Sequence, residues 1–499
     1  MRPSRSRHRL LRGLMLVVVA TTTTGCLSAA RQAVRARAVS LGPTGLSTSD
    51  EALRRLLVAG AAEVAADALQ VNGRPVATAG LAGVGALGRS GDELLDALTM
   101  SATAFYAGRY GAATDAVATA ERRVEQQVTR SVTREATALL TNDAARGYRP
   151  TRTELAVLPY YATLSFLARG DLEGAQVEAR RLAQRLEESE ADAPTEQRSL
   201  RAALRLVTAA VFEAVGEHND AAVARRHVVA LTGDSSFAPR DSAVIRRDSV
   251  ELLVVVEHGF APHRVAQTAM LGANGRSSSV ETITRLIEGS LGADPQGGIF
   301  GVGQWRRSGW RWDGREAFGL DGRSAREAMT VAWPVLSRFA ESPQAMVRPS
   351  AALPTTTRSM MVTGAIGASL AADHRRALPG LIARVAARTV ARRAAFDLVQ
   401  GKRGERRTMA TVLALASGAI ELADTRSWSV LPNAISVLPL RVPSDLDRVQ
   451  VDVGGRVVSL PVPPGAGALR LVHTRLFDGE GTAPLTTATA TLAALEMMR

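Results

Sequence analysis

Three short segments of this chain share one layout: Gly108-Arg-Tyr110-Gly-Ala-Ala113, Gly170-Asp-Leu172-Glu-Gly-Ala175 and Gly216-Glu-His218-Asn-Asp-Ala221. In each, a bulky residue follows glycine by two positions and alanine follows by three more. Glycine closes a helix because it enters the left-handed conformation without a Cβ penalty. The bulky side chain is expected to plug the gap between two helices, and alanine to let the second helix cross closely. Apolar residues ahead of the turns (Leu164, Phe166, Leu167; Val207, Val211, Phe212) recur at helical spacing. From Asp92 to about Leu231 the chain is therefore restricted to helical hairpins.

Such turns resemble those of tetratricopeptide repeats. The glycines stand 62 and 46 residues apart, against about 34 in the regular repeat, so longer helices or insertions are expected. Composition agrees with close helix packing. Hydrophobic residues make up 46% of the 499, but aromatics only 4%, so the core is built from Ala, Leu and Val. A chain this long is expected to form two or three domains. Residues 51–70 read as a further helix, and the glycine-rich stretch 79–91 as a loop. Those glycines lack the strand–turn–helix context and acidic partner of a nucleotide site.

Beyond about residue 241 the texture changes. Leu252-Leu-Val-Val-Val256 reads as a buried strand, and Gly259 and Pro262 as the turn after it. Residues 279–291 read as a short helix, and 292–324 as a long loop carrying Trp305, Trp310 and Trp312. Strands are expected at 329–333 and 345–347, helices at 369–423, and strands at 435–440, 448–453, 456–462 and 468–473. Gly454-Gly455 supplies a hairpin turn. The expected fold is α+β: an N-terminal tetratricopeptide-like α-hairpin array at 51–240, followed by a β-rich module, an antiparallel sandwich or barrel. That module spans 241–368 and 424–499 and is interrupted by a helical insertion at 369–423.

The N-terminus carries an address. Five arginines precede the apolar run Leu14–Ala20, and the segment ends Thr-Thr-Thr-Thr-Gly25-Cys26. A basic start, short apolar core and small-residue cleavage site make an export signal. The run is far shorter than the ~20 residues of a spanning helix. Its Gly25-Cys26 ending resembles a bacterial lipoprotein signal, which implies cleavage after residue 25 and lipidation of Cys26. Thr23 stands where that pattern usually has Leu. Residues 26–50 read as a flexible tether. Leu27, rather than Asp, favours the periplasmic face of the outer membrane if the cell is Gram-negative. Cys26 is the single cysteine, which excludes an internal disulfide framework or cysteine zinc site. Of the net charge of +13, the leader's arginines supply five, leaving +8. Lys402 is the sole lysine. Arginine bias from a GC-rich genome or an anionic partner would each explain that excess.

A wider resemblance runs along the chain. It starts at Gly91-Asp92-Glu93-Leu94, then takes in Leu140-Thr-Asn142-Asp143, Tyr148-Arg-Pro150 and Glu154. It is densest at Leu167-Ala-Arg-Gly170-Asp171-Leu-Glu-Gly-Ala175-Gln-Val-Glu178-Ala-Arg180-Arg181. It resumes at Val254–Pro262 and ends with Ala423-Asp424-Thr-Arg426-Ser427-Trp428-Ser-Val-Leu431-Pro432. In this order the segments resemble a family of bacterial tetratricopeptide-containing lipoproteins of uncharacterised function. That resemblance implies a periplasm-facing lipoprotein and implies no reaction. The tryptophans at 305–312 have no counterpart in it.

Several side-chain sets could carry chemistry. Glu178, Arg180 and Arg181, with Glu154 at the far end of the same hairpin, would form a polar groove or simply pair on a solvated face. Asp424, Arg426 and Trp428 alternate, so as a strand they would share one face. They would then grip a sugar or peptide, or clamp the junction between helical insertion and β module, the indole N–H finding a partner in the polar pair. Glu257, His258 and His263 lack zinc-site spacing, and packed or surface histidines are expected there. Arg384, Arg388 and Arg392, beside Arg393, fall on one helix face that would bind anionic headgroups or remain solvated. No Gly-x-Ser-x-Gly, Ser-x-x-Lys or P-loop sequence occurs, and nucleic acid is not expected as a partner of an exported chain without a recognition module. The expectation is a non-enzymatic envelope scaffold or adaptor without metal or cofactor. Its membrane contact is the lipid, its repeat groove binds an envelope protein, and its role lies in cell-wall or outer-membrane assembly. The alternative is a carbohydrate- or peptidoglycan-binding module, or an enzyme, in the β-rich half.

Overall fold

The computed structural model describes residues 44–70, 92–129, 147–188, 193–239, 249–271, 280–290, 299–301, 329–348, 360–400, 423–464, 469–477 and 485–489. The leader and Cys26, the glycine-rich loop, the segment 140–143, Trp305, Trp310 and Trp312, and residues 401–422 lie outside the described residues.

Over the described residues the chain is α+β, with helices first and a β-rich part after them. The three turns do form helical hairpins: α3 (Glu93–Tyr106) with α4 (Tyr110–Thr129), α5 (Arg152–Ala168) with α6 (Leu172–Glu188), and α7 (Arg198–Ala214) with α8 (His218–Thr232). They are preceded by α1 (Thr48–Val58) and α2 (Ala62–Gln70). Gly108, Gly170 and Gly216 have φ of 71°, 76° and 82°. Each closes its helix with the same pair of backbone bonds; at the first turn Gly108 N donates to Phe105 O and Arg109 N to Ala104 O. This pair satisfies carbonyls that a helix end otherwise leaves bare. Ala113, Ala175 and Ala221 are buried where the second helix crosses. Leu172 is buried as a plug should be, but His218 is exposed. An imidazole keeps its hydration there, and the backbone bonds alone close that turn.

The helix expected at 51–70 is two helices. Gly60 (φ 75°) ends α1 with the same bonding as the other turns: Gly60 N to Leu57 O and Ala61 N to Leu56 O. Ala65, five residues on, is fully buried. Only the bulky residue is missing, because position 62 is alanine.

Eleven strands are described, in three sheets. The central sheet has the order β11 (Leu485–Thr489), β10 (Leu469–Leu476), β1 (Ser249–His258), β7 (Ala434–Pro443), β6 (Val362–Ala365). Leu252 to Val256 occupy its middle strand and are at most 2% exposed, as expected of a strand covered on both faces. Three of this sheet's four neighbouring pairs are antiparallel as expected, and the fourth is not: β1 and β10 run parallel, pairing Glu251 with Leu469 through His258 with Leu476. No hairpin can make such a pair, so the two strands are brought together across more than 200 residues. A second sheet, β5 (Ala345–Val347), β8 (Arg448–Val453) and β9 (Arg456–Pro461), contacts β10 and β11 through β9. Its hairpin turns at Gly454 and Gly455, with φ of 58° and 91°. The third, β3 (Ile299–Gly301), β2 (Arg264–Leu271) and β4 (Met329–Leu336), shares a separate small core with α9 (Val280–Ser290) and α10 (Ile366–Gln400). The helix α10, from the expected insertion, therefore packs on β4, α9 and α5.

One main core runs without interruption from α1 through the hairpins into the central sheet and the β5–β8–β9 sheet. The helices and the central sheet thus cover one another's apolar faces. Residues Gly364, Ile435, Glu257 and Arg475 stand in one cross-strand row. At Gly364 a Cβ would lie 2.8 Å from the Leu200 Cα and 3.0 Å from the Ala203 Cβ, so α7 lies directly on the sheet.

Candidate functional site

Where the helices meet the sheet, the row carries a polar cluster with no route to solvent. Glu257, His473 and Arg475 are fully buried, as are Tyr160 and Tyr161. Tyr106 donates to Glu257 Oε2 at 2.5 Å and Tyr160 to Oε1 at 2.9 Å, while the Tyr161 hydroxyl meets that of Tyr106 at 2.7 Å. His473 Nε2 stands 3.6 Å from Glu257 Oε1, beyond hydrogen-bond length. Arg475 donates to Val430 O and Gly259 O and stacks over Tyr106, Phe260 and Phe477. Burial by itself would push the Glu257 carboxyl up; His473, Arg475 and the Tyr106 hydroxyl outweigh it and hold it below its ordinary range. Glu257, considered as a metal ligand from sequence, is thus a structural anion. Its sequence neighbour His263 is held by Thr44 O and Ser337, and no cluster of metal-ligating side chains occurs among the described residues.

A cavity of about 400 Å³ has Trp428 in its wall, whose ring stands 5.9 Å from that of Tyr161 in this cluster. Its walls come from the start of α5, the first half of α10, the ends of β2 and β4, and the extended segment 423–428. The volume is within the range of small-molecule sites. Glu154, Asp424 and Trp428 line it, and Arg426 stands behind them. Asp424, Arg426 and Trp428 are in no strand; they are held by side-chain bonds. Arg426 binds both oxygens of Asp424 and reaches Asp92 Oδ2 at 3.1 Å. The carboxylate of Asp92 also caps α3 and accepts from Tyr148 N. The pair is therefore a clamp, joining the 423–428 segment to the first hairpin.

Among the described residues the lining carries five arginines (Arg149, Arg152, Arg264, Arg376 and Arg384) and three carboxylates. Each carboxylate has structural bonds. Glu154 takes the Tyr148 hydroxyl and, in a capping box, Thr151 N. Asp373 takes Thr153 N and Gln197 Nε2, fastening α10 to α5. Asp424 takes Arg426. Apolar surface comes from Pro262, Pro334, Leu336, Leu370, Leu381 and the Trp428 ring. Two ring nitrogens in the wall lack partners: Trp428 Nε1 and His374 Nε2. The polar pair expected to satisfy the indole is instead spent on itself and Asp92.

Burial, with the positive field of Arg264 added, pulls the His374 pKa down to about 4; burial does the same for His263. Both are neutral in the fold at pH 7. The unfolded chain, with ordinary histidines near 6.5, binds more protons between about pH 6.5 and 4, so stability falls as pH drops through that window. Buried His263 alone is expected to remove about 1–2 kcal/mol between pH 7 and 5. Thermal unfolding of the wild type and of His263→Asn across this range checks it; a variant that remains as acid-sensitive as the wild type would refute the assignment.

The other sequence candidates are elsewhere. Glu178, Arg180 and Arg181 lie on α6, where Arg181 pairs with Glu178 and with Glu121 of α4, and Arg180 with Glu217 before α8. They tie adjacent hairpins together, whereas Glu154 lines the cavity. Burial raises the Glu178 carboxyl. On α10, Arg384 lines the cavity while Arg388 is buried at 2% exposure, so the arginines do not form one solvated stripe; the side chains of Arg392 and Arg393 lie outside the described residues. Sequence reading missed Arg264, Asp373 and His374. It had a usable signal for His473, a polar residue inside the strand expected at 468–473, while Arg475 lies two residues beyond that expectation.

Comparison with protein-family models, with curated proteins and with solved structures finds no match to this chain.

Proposed function

We propose that this chain is a lipid-anchored, non-enzymatic binding protein of the cell envelope, and that it receives its ligand in the junction cavity. The single observation carrying this reading is the cavity itself, roomy, arginine-rich and walled by carboxylates already committed to structural bonds. Such carboxylates hold their surroundings rather than move protons. The envelope address rests on the leader and Cys26, and the tetratricopeptide-like lipoprotein reading on the hairpin turns and the ordered sequence segments. An adaptor using the concave face of a repeat array fits less well, because the central sheet packs against α7 and the tyrosines of α3 and α5. A scaffolding partner would have to use the outer faces of α4, α6 and α8, where Val177 and Val223 are exposed.

Two measurements test this. Cys26→Ser should move the protein from the membrane to the soluble fraction, and a wild type found mainly in the soluble fraction would overturn the anchor. No helix among the described residues is long and apolar enough to cross a membrane. Native mass spectrometry of protein purified from envelopes should show a small bound mass that Ala377→Trp, in the cavity wall, removes. A bound mass that persists in that variant would overturn the cavity as the site.

A further inference from the structure

The cavity is lined from two bodies of unequal size. Leu370 and Trp428 come to it from the main core. Arg264 of β2, Pro334 and Leu336 of β4, and Leu381 of α10 come from the elements around the small second core. We infer that β2, β4, α9 and α10 beyond Pro379 form a unit that opens apart from the main core and serves as the moving wall of the cavity. Its role as a wall rests on the binding reading above; its opening does not.

Three observations carry this. The first is the separation of the cores. Among the described residues none is shared between them, and the small core is the lesser of the two. Resistance to local opening grows with the apolar surface buried, so the smaller body opens first. The bonds across the boundary are polar: Arg264 N donates to Ser427 Oγ, Arg264 Nη1 to Arg426 O, and His263 Nε2 meets Thr44 O. Water can replace such bonds as the wall moves.

The second is Gln267, in the middle of β2. It stands opposite Trp333 of β4 and is fully buried, yet neither its amide nitrogen nor its oxygen has a hydrogen-bond partner among the described residues. A buried amide left so carries the whole cost of its desolvation, which is recovered when the unit opens to water. The third is the course of α10. Ile366 and Leu370 lie in the main core, and Asp373 is bonded to Thr153 N and Gln197 Nε2. Leu378, Leu381 and Val385 lie in the small core. Pro379 stands inside the helix at this passage. A proline there has no N–H to give the carbonyl four residues earlier, which weakens the helix where it leaves one body for the other.

Hydrogen exchange read by mass spectrometry tests this on the full chain carrying Cys26→Ser. Residues of β2, β4 and 380–386 should exchange together, about tenfold or more faster than β1 and β7. Residues 369–376, on the same helix but before Pro379, should follow the main core. Gln267→Met, which removes the unpartnered amide and keeps the length of the side chain, should slow exchange in the unit by about tenfold and leave β1 and β7 unchanged. Pro379→Ala restores the helix N–H and reads the same unit independently of Gln267, with slowing expected there alone. Exchange in β2 and β4 as slow as in β1 and β7 would overturn the separate opening, as would slowing spread equally over both cores in either variant. Protein purified from envelopes with its bound mass should exchange more slowly in the unit than the ligand-free chain. A bound mass that Ala377→Trp removes, without such slowing, would overturn the role as a wall. Absence of any bound mass would overturn the binding reading and the wall with it, while the contrast between the two cores would still decide the opening.

Discussion

Replacing Glu257 by alanine should cost the fold about 3–5 kcal/mol, because it deletes the buried acceptor of two tyrosine hydroxyls and leaves the buried Arg475 without its countercharge. Tyr106 and Tyr160 would lose the acceptor of their hydroxyls, and Arg475 would remain buried beside a cavity instead of a carboxylate. Glu257→Gln keeps the shape and one acceptor and should cost less. Urea unfolding at pH 7 measures both. A loss under about 1 kcal/mol for the alanine variant, the value of an ordinary hydrogen bond, would mean that water enters the layer. The pH dependence has a definite sign. Glu257 is depressed in the fold, so its contribution is complete above the ordinary carboxylate range and disappears only as pH falls through the lower, folded value. The gap between wild type and variant should hold from pH 7 to about 5 and close below the ordinary range.

Gly364→Leu is the second large effect. The atom nearest to a new Cβ is the Leu200 Cα, backbone of α7, which cannot rotate away as a side-chain tip can. Overpacking costs about 1–3 kcal/mol or more, and here it would push a helix off the sheet. Gly364→Ala should be measurably destabilised and Gly364→Leu strongly so, with a fall in melting temperature and weaker near-ultraviolet circular dichroism. An unchanged leucine variant would show that α7 and the sheet slide freely.

The hairpins were legible because glycine leaves a local mark: Gly108, Gly170 and Gly216 each close a helix by the bonding their sequence implies. Gly60 does the same and escaped notice, since Ala62 stands where the other turns have a larger residue. The strand at 252–256 was equally plain, because five consecutive apolar residues suit only a strand covered on both faces. Its partner was not. Nothing local in Leu469–Leu476 says that it runs parallel to β1, as that pairing depends on two segments far apart in the chain. The site was half legible. Glu154 and the pair Asp424 and Trp428, read from sequence as members of two separate sets, line one cavity, and their neighbours Arg264, Asp373 and His374 are supplied by other elements and look like ordinary surface residues in sequence. Asp424 and Arg426 alternate like strand residues, yet the bonds to Asp92 hold them, and Asp92 is more than 300 residues earlier.

The parallel β1–β10 pair also imposes a timetable. Contacts of such long sequence separation slow folding, because loop closure must precede the contact that rewards it. Until residues 469–476 have been made, one edge of β1 has no neighbour, and the Glu257 carboxylate lacks both His473 and Arg475. A nascent chain can therefore wind its hairpins early but cannot complete the layer on which they rest. For a chain that is proposed to be threaded through a membrane before it matures, this delay is useful: β10, a strand made late, supplies the missing neighbour of β1.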